Sequence, residues 1–282
     1  RADANDYLIE RVGAEDDEGF YEAVFFESYI NSKRPVAFTQ RTEDRVAVVT
    51  AEGNMMSGEQ PPGTIGGDSL SRLLRQAAEQ PGVKALVLRV NTGGGSVLAA
   101  ERIRQTIARI REAGTPVVIS MGAIAASGGY YIAAEADEIW ATPTTITGSI
   151  GVFAAFPTFE RLLERIGVTT DGVGTTELAG SLRLDRPLNP QVAETLASGV
   201  HFTYREFLQL VASGRGLSEE AVQAAAGGRV WSAADAQVLG LIDELGSLRE
   251  AIAAAAELGG LDPQRHPVEY VQQPLSPRDM LL

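Results

Sequence analysis

Apolar positions fall into two alternating patterns, short continuous runs and stripes at helical spacing. Arg45–Thr50 (RVAVVT), Ala85–Val90 (ALVLRV) and Val117–Met121 (VVISM) have the length and β-branched content of buried strands. Between them, Leu70, Leu73, Leu74, Ala77 and Ala78 follow a capping Asp68, and Val97, Ala100, Ile103, Ile107 and Ile110 mark one face of a helix over Ser96–Ala113. A repeated strand-then-helix order predicts an α/β domain built on a parallel sheet. Further on, the pattern predicts a short helix over Phe159–Ile166, a strand over Thr169–Val173, and a long helix starting at Asn189 and Pro190 and running toward Ser213. Helices at Glu219–Ala226, Ala233–Leu239 and Leu248–Leu258 close the domain.

The ends and one loop depart from this order. Arg1–Pro35 is polar and acidic with an aromatic cluster at Phe20, Tyr21, Phe25, Phe26 and Tyr29, which reads as a connector with a packing helix. Residues 51–67 are broken by glycine and proline and form either a flap over a site or a surface excursion. From Pro263 the tail has few apolar anchors and is expected to be mobile or to dock on a partner. The expected organisation is a connector over 1–40, a domain over 41–260 and a tail over 261–282.

Two glycine-rich turns interrupt the pattern where chemistry is expected. In ALVLRVNTGGGS (Ala85–Ser96) a strand enters three glycines and a helix follows, yet the dinucleotide G-x-G-x-x-G spacing and the Gly-Lys-Ser/Thr end of a phosphate loop are both missing. In the stretch Pro116–Gly151, Ser127 lies between a strand and the small residues Gly128 and Gly129 that open a helix. The first N–H groups of a helix have no partner inside it and can stabilise an anion beside the serine hydroxyl. The same residues also fit a serine helix cap in a glycine-rich loop. Parallel strands place both turns at one sheet edge, where they can face each other across a single site.

The segments RVNTGGGSV (Arg89–Val97), ISMGAIAASGGYYIA (Ile119–Ala133), ATPTTITGSIGVF (Ala141–Phe153), IGVTTDGV (Ile166–Val173) and GRVWSAADAQVLGLIDELG (Gly228–Gly246) resemble the signal peptide peptidase A family. These are serine proteases of the Clp protease/crotonase fold, with stacked strand–helix units, and the likeness is to the carboxyl-terminal half of the two-repeat type. The resemblance implies Ser127 as nucleophile and Ser149 as the hydroxyl that holds a lysine amine, although Ser149 also fits a simple Gly-Ser turn. It implies oxyanion donors at the N–H of Gly94 and Gly128, and an extended apolar peptide, such as a remnant signal peptide, pairing along Gly93, Gly95 and Ser96. Family members usually carry proline where Gly93 stands.

Composition narrows the chemistry. A net charge of −13 argues against nucleic acid as partner, since phosphate binding needs clustered Lys and Arg. With no cysteine there is no thiol nucleophile or cysteine–zinc site. The two histidines, His201 and His266, lie far in sequence from the glycine turns and lack a metal-ligand spacing, and neither a metal nor a cofactor is expected. No run of 18 apolar residues exists, so the chain itself is expected to lack a membrane anchor. By resemblance the whole enzyme is a homo-oligomer, a tetramer, anchored in the bacterial inner membrane and facing the periplasm or exterior.

The general base is the difficulty. The family uses a Ser–Lys dyad, and only a desolvated lysine is neutral enough to serve. This chain has two lysines: Lys84, roughly 20 Å along its strand from the site edge, and Lys33, in the connector. The stretch Thr175–Leu188, where short family members carry their lysine, has only arginines, which stay protonated. The expectation is a base supplied by an amino-terminal half, with Lys33 as the alternative. Two other readings remain, a non-catalytic peptide-binding scaffold and acyl-CoA chemistry on the same fold.

Overall fold

The sheet is organised on two ten-residue central strands, β4 (Val83–Thr92) and β5 (Val117–Ala126), in a computed structural model that describes residues 43–176 and 178–273. All of these belong to one unit, Thr42–Leu282. Lys33 and the aromatic connector lie outside the described residues.

In chain order the elements are β1 (Arg45–Glu52), β2 (Met55–Met56), β3 (Ile65–Gly66), α1 (Gly67–Ala78), β4, α2 (Val97–Glu112), β5, α3 (Gly128–Tyr131), β6 (Glu138–Ala141) and β7 (Ile146–Gly148). There follow α4 (Glu160–Arg165), α5 (Pro190–Arg215), α6 (Glu219–Ala225), β8 (Val230–Ser232), α7 (Ala233–Val238), β9 (Glu244–Leu245), α8 (Leu248–Leu258) and β10 (Val268–Val271). The main path β10-β1-β4-β5-β6-β9 is parallel throughout, while β7 leaves it, pairing parallel with β5 and antiparallel with β8.

Burial on both faces explains the unbroken apolar runs. Ala47, Val49, Leu86, Leu88, Ile119 and Met121 face the core shared with Leu74, Ile103 and Ile107. Their strand neighbours Val46, Val48, Ala85, Val87 and Val118 pack on Ala251, Ile252 and Ala255 of α8. Ser96 caps α2 by accepting from the Ala99 N–H, and Asn189 caps α5 by accepting from the Gln191 N–H with Pro190 at the first turn.

Four expectations change. Asp68 lies in the first turn of α1, where it pairs with Arg102, and the cap is Gly66. Strand β5 continues past Met121 to Ala126, because β7 offers it a second neighbour. Thr169–Val173 forms no strand: the segment is exposed and no edge pairs with it, so β propensity alone does not order it. Residues 268–271 pair parallel with β1, so this part of the tail is an edge strand.

Candidate active site

Strand β5 delivers Ser127 in a strained conformation, with φ 51° and ψ −118°. Among the described residues only two non-glycine residues have positive φ, Ser127 and Ser149 (φ 49°). Such backbone costs on the order of 1–3 kcal/mol and persists only where its surroundings over-determine it. The surroundings do so here. The Ser127 N–H donates to Gly148 O (2.9 Å), the Tyr131 N–H donates to Ser127 O (2.8 Å), and the Ser149 N–H donates to Arg229 O (2.7 Å). Ala126 and Gly148 are register partners, so the two serines follow the same rung of adjacent strands, about 4.8 Å apart. No side-chain cap bond involves Ser127.

The other glycine turn closes against this corner. A Cβ on Gly94 (φ 101°) would lie 2.7 Å from Gly128 N and 3.0 Å from Ser127 Cβ, and one on Gly129 would lie 2.7 Å from Thr92 Cγ2. Glycine is required at these positions because two backbones meet without room for a side chain. At Gly93 the constraint is absent, since a Cβ would meet only Ile124 Cδ1 at 3.9 Å. Residues 51–67 cover the loop from its far edge: the Met55 N–H donates to Gly94 O (3.0 Å) and the Ser96 N–H donates to Met55 O (2.8 Å).

Two of the expected roles shift on this geometry. The Gly94 N–H donates to Thr92 Oγ1 at 3.0 Å and is therefore not free for an anion. Among the described residues, no hydrogen bond engages the N–H groups of Gly95 and Gly128, and a Cβ on Gly128 would lie 3.4 Å from Gly95 N. Ser96 is also occupied. Its N–H serves Met55, its hydroxyl caps α2 (3.3 Å) and shares a 2.8 Å hydrogen bond with Ser57 Oγ, which leaves it little capacity for a peptide.

One helical turn beyond Ser127, Tyr131 lines a cavity of about 550 Å³ with Val97, Leu98, Phe202, Glu206 and Leu210. The Tyr131 hydroxyl donates to Glu101 Oε2 (2.7 Å), and Arg104 Nε (2.8 Å) and Nη2 (2.7 Å) and Gln105 Nε2 (2.8 Å) donate to the same carboxylate. Arg104 above all holds the Glu101 carboxyl down to about 2, while burial, then Glu101, pushes the Tyr131 phenol well above its ordinary range. This network was not legible in the sequence. The spacing of Glu101 and Arg104 signals a helix-surface ion pair and nothing more.

Among the described residues no hydrogen bond engages the Ser127 hydroxyl. Lys84 is half-exposed and pairs with Asp44 (3.5 Å) at the opposite end of β4, about 26 Å from Thr92 at 3.3 Å per residue. His201 is exposed on α5, and His266 Nδ1 bonds to Asp262 O at 2.8 Å. In the arginine-bearing stretch, Arg183 is paired with Asp185. Among the described residues no cluster of His, Asp and Glu could hold a metal, and no helix is long and apolar enough to cross a membrane.

The family model for Peptidase family S49 matches residues 109–262, more than half of the chain and the part that carries both serines. The chain belongs to peptidase family S49. It is 41% identical over 281 residues to Protease 4 of Salmonella typhi, covering 100% of this chain and 44% of that protein. It is 33% identical over 255 residues to the chloroplastic serine protease SPPA of Arabidopsis thaliana, covering 89% of this chain and 37% of that protein. The S49 chain thus spans less than half the length of these two relatives. A solved mutant of the 1510-N membrane-bound stomatin-specific protease superposes with TM-score 0.52 at 17% identity, covering 82% of this chain and 99% of that one. The fold is the Clp protease/crotonase-like α/β fold that the sequence led us to expect.

Proposed function

We propose that this chain is the nucleophile-bearing half of a serine endopeptidase that cleaves extended apolar peptides. The observation that carries the reading is Ser127, held at positive φ beside two N–H groups, of Gly95 and Gly128, that have no partner among the described residues. Ser127 Oγ attacks the peptide carbonyl, and the Gly95 and Gly128 N–H groups receive the developing oxyanion. The Gly128 donor is the one expected from the sequence, and Gly95 replaces Gly94.

A lysine amine supplied by an amino-terminal half other than this chain takes the serine proton and returns it to the leaving amine, with Ser149 orienting it. Support comes from the lack of a hydrogen-bonded base at Ser127 among the described residues and from relatives more than twice as long as this chain. The peptide pairs with the free edge of Gly93 and Gly95, since Met55 occupies the opposite edge. Remnant signal peptides are the proposed substrates, and the bacterial inner membrane, on its periplasmic or external face, is the proposed location. A homo-oligomer is proposed as the working state. The exposed apolar side chains Phe153, Leu162, Ile166, Val173 and Phe202 support it as candidate contacts for a second copy.

Covalent trapping tests the reading. A peptidyl phosphonate added to the complete enzyme should attach to Ser127, and peptide mapping by mass spectrometry locates the adduct. A peptide-binding scaffold would bind the probe's peptide without forming an adduct, and that result would remove the catalytic assignment.

A further inference from the structure

Strand β5 changes neighbours just before it reaches Ser127. It pairs with β6 as far as Ser120 opposite Trp140, and with β7 only from Ile124 opposite Ile146. On its other side the β4 register advances from Val90 opposite Met121 to Thr92 opposite Ala125, so Gly122, Ala123 and Ile124 all stand opposite Asn91. This is a bulge of three residues against one, in a parallel pair, at a strand switch. Bulges of this kind turn the residues that follow them. They also leave backbone groups without ladder partners, which a buried chain must satisfy otherwise.

Asn91 and Thr145 do so within the bulge, and Thr147 bonds to Ala125, the paired residue that follows it. Asn91 Oδ1 accepts from the Ile124 N–H (3.3 Å), Thr145 Oγ1 donates to Gly122 O (2.7 Å), and Thr147 Oγ1 donates to Ala125 O (2.8 Å). Each is set from behind or enclosed. Asn91 Nδ2 donates to Glu52 Oε1 (3.1 Å), which fixes the amide with its oxygen toward the bulge. The Thr145 proton is used on Gly122, so Thr142 is the donor in their 2.9 Å bond. Thr145 and Thr147 are fully buried. Gly122 admits no side chain, because a Cβ there would lie 2.7 Å from Asn91 Oδ1.

We propose that Asn91, Thr145 and Thr147 are positioning residues that lock the bulge and thereby set Ser127 against the Gly95 and Gly128 N–H groups. None of the three bonds to Ser127, so each acts through the backbone of β5. The proposal rests on Ser127 being the nucleophile. It predicts a loss in the chemical step, because a displacement of about 1 Å at a reacting atom costs about 10²-fold.

The test uses the full-length enzyme carrying Thr145→Val, Thr147→Val or Thr145→Ser, with peptide turnover and the rate of Ser127 phosphonylation both measured. The valine variants remove a hydroxyl at nearly constant shape and should lower kcat and the phosphonylation rate by about 10–100-fold, with KM within about twofold. Thr145→Ser keeps the hydroxyl and should retain most of the rate. Should a valine variant fail to fold, Gly122→Ala reaches the same clamp from the opposite side and should lower kcat alike. Unchanged phosphonylation in folded Thr145→Val, or an equal loss in Thr145→Ser, overturns the positioning role while leaving Ser127 as nucleophile. Failure of the unmodified enzyme to label at Ser127 removes the nucleophile and this proposal together.

Discussion

The corner where β5 meets β7 and the segment from Phe153 to Asn189 treat their residues in opposite ways. At the corner, Ser127 and Ser149 are both strained, and neighbouring carbonyls fix each of them. In the later segment α4, the one helix among its described residues, buries none of them, and Phe153 is 90% exposed. One region is over-determined by its own chain, while the other presents apolar surface without cover among the described residues. The contrast teaches that this chain fixes the Ser127 corner with its own backbone, whereas on the proposed reading the exposed segment awaits a partner surface.

The sharpest break at the corner is Ser127→Ala, which should lower peptide turnover by at least about 10³-fold in the complete enzyme while the melting curve stays in place. Next comes Gly94→Val, which has no room against Gly128 and Ser127 and should cost about 10²–10³-fold in kcat by displacing the oxyanion donors. Its control is Gly93→Ala, where the space is open and turnover should stay within about twofold. Equal losses in the two glycine variants would show that the loop's backbone, not the contact with Ser127, is what matters.

Behind the corner, the Glu101 carboxyl is held near 2, below its ordinary 4.5, chiefly by Arg104. A depressed carboxylate contributes stability that is fully present above the unfolded value and is lost as pH falls from about 4.5 toward 2. Acid melting of Glu101→Gln should therefore show a weaker pH dependence than the parent across that window. An identical dependence would remove Glu101 from the account. The smallest effect belongs to the exposed segment. Phe153→Ser should leave melting within about 0.5 kcal/mol and instead weaken self-association seen by sedimentation.

Much of the frame could be read from residues, since Arg45–Thr50, Ala85–Val90 and Leu248–Leu258 are buried on the faces their patterning required. The meeting of the two glycine turns was legible because a strand, small residues and a helix appear in that order at each, whereas Ser149 was singled out only by resemblance. The identity of the free loop donor was not legible, because it depends on which side chain, here Thr92, claims the Gly94 N–H. The bulge at Gly122–Ile124 was equally hidden. It arises from the exchange of β6 for β7 beside β5, a relation between distant segments that no local spacing records.

The central claim is that Ser127 is the nucleophile and that its base lies on another segment. Its most direct measurement is peptide turnover by this chain alone and again after addition of the lysine-bearing amino-terminal half. The account predicts no turnover by the chain alone, recovery on addition, and loss when the added lysine is replaced. Full turnover by the chain alone, abolished by Lys33→Ala, would contradict it.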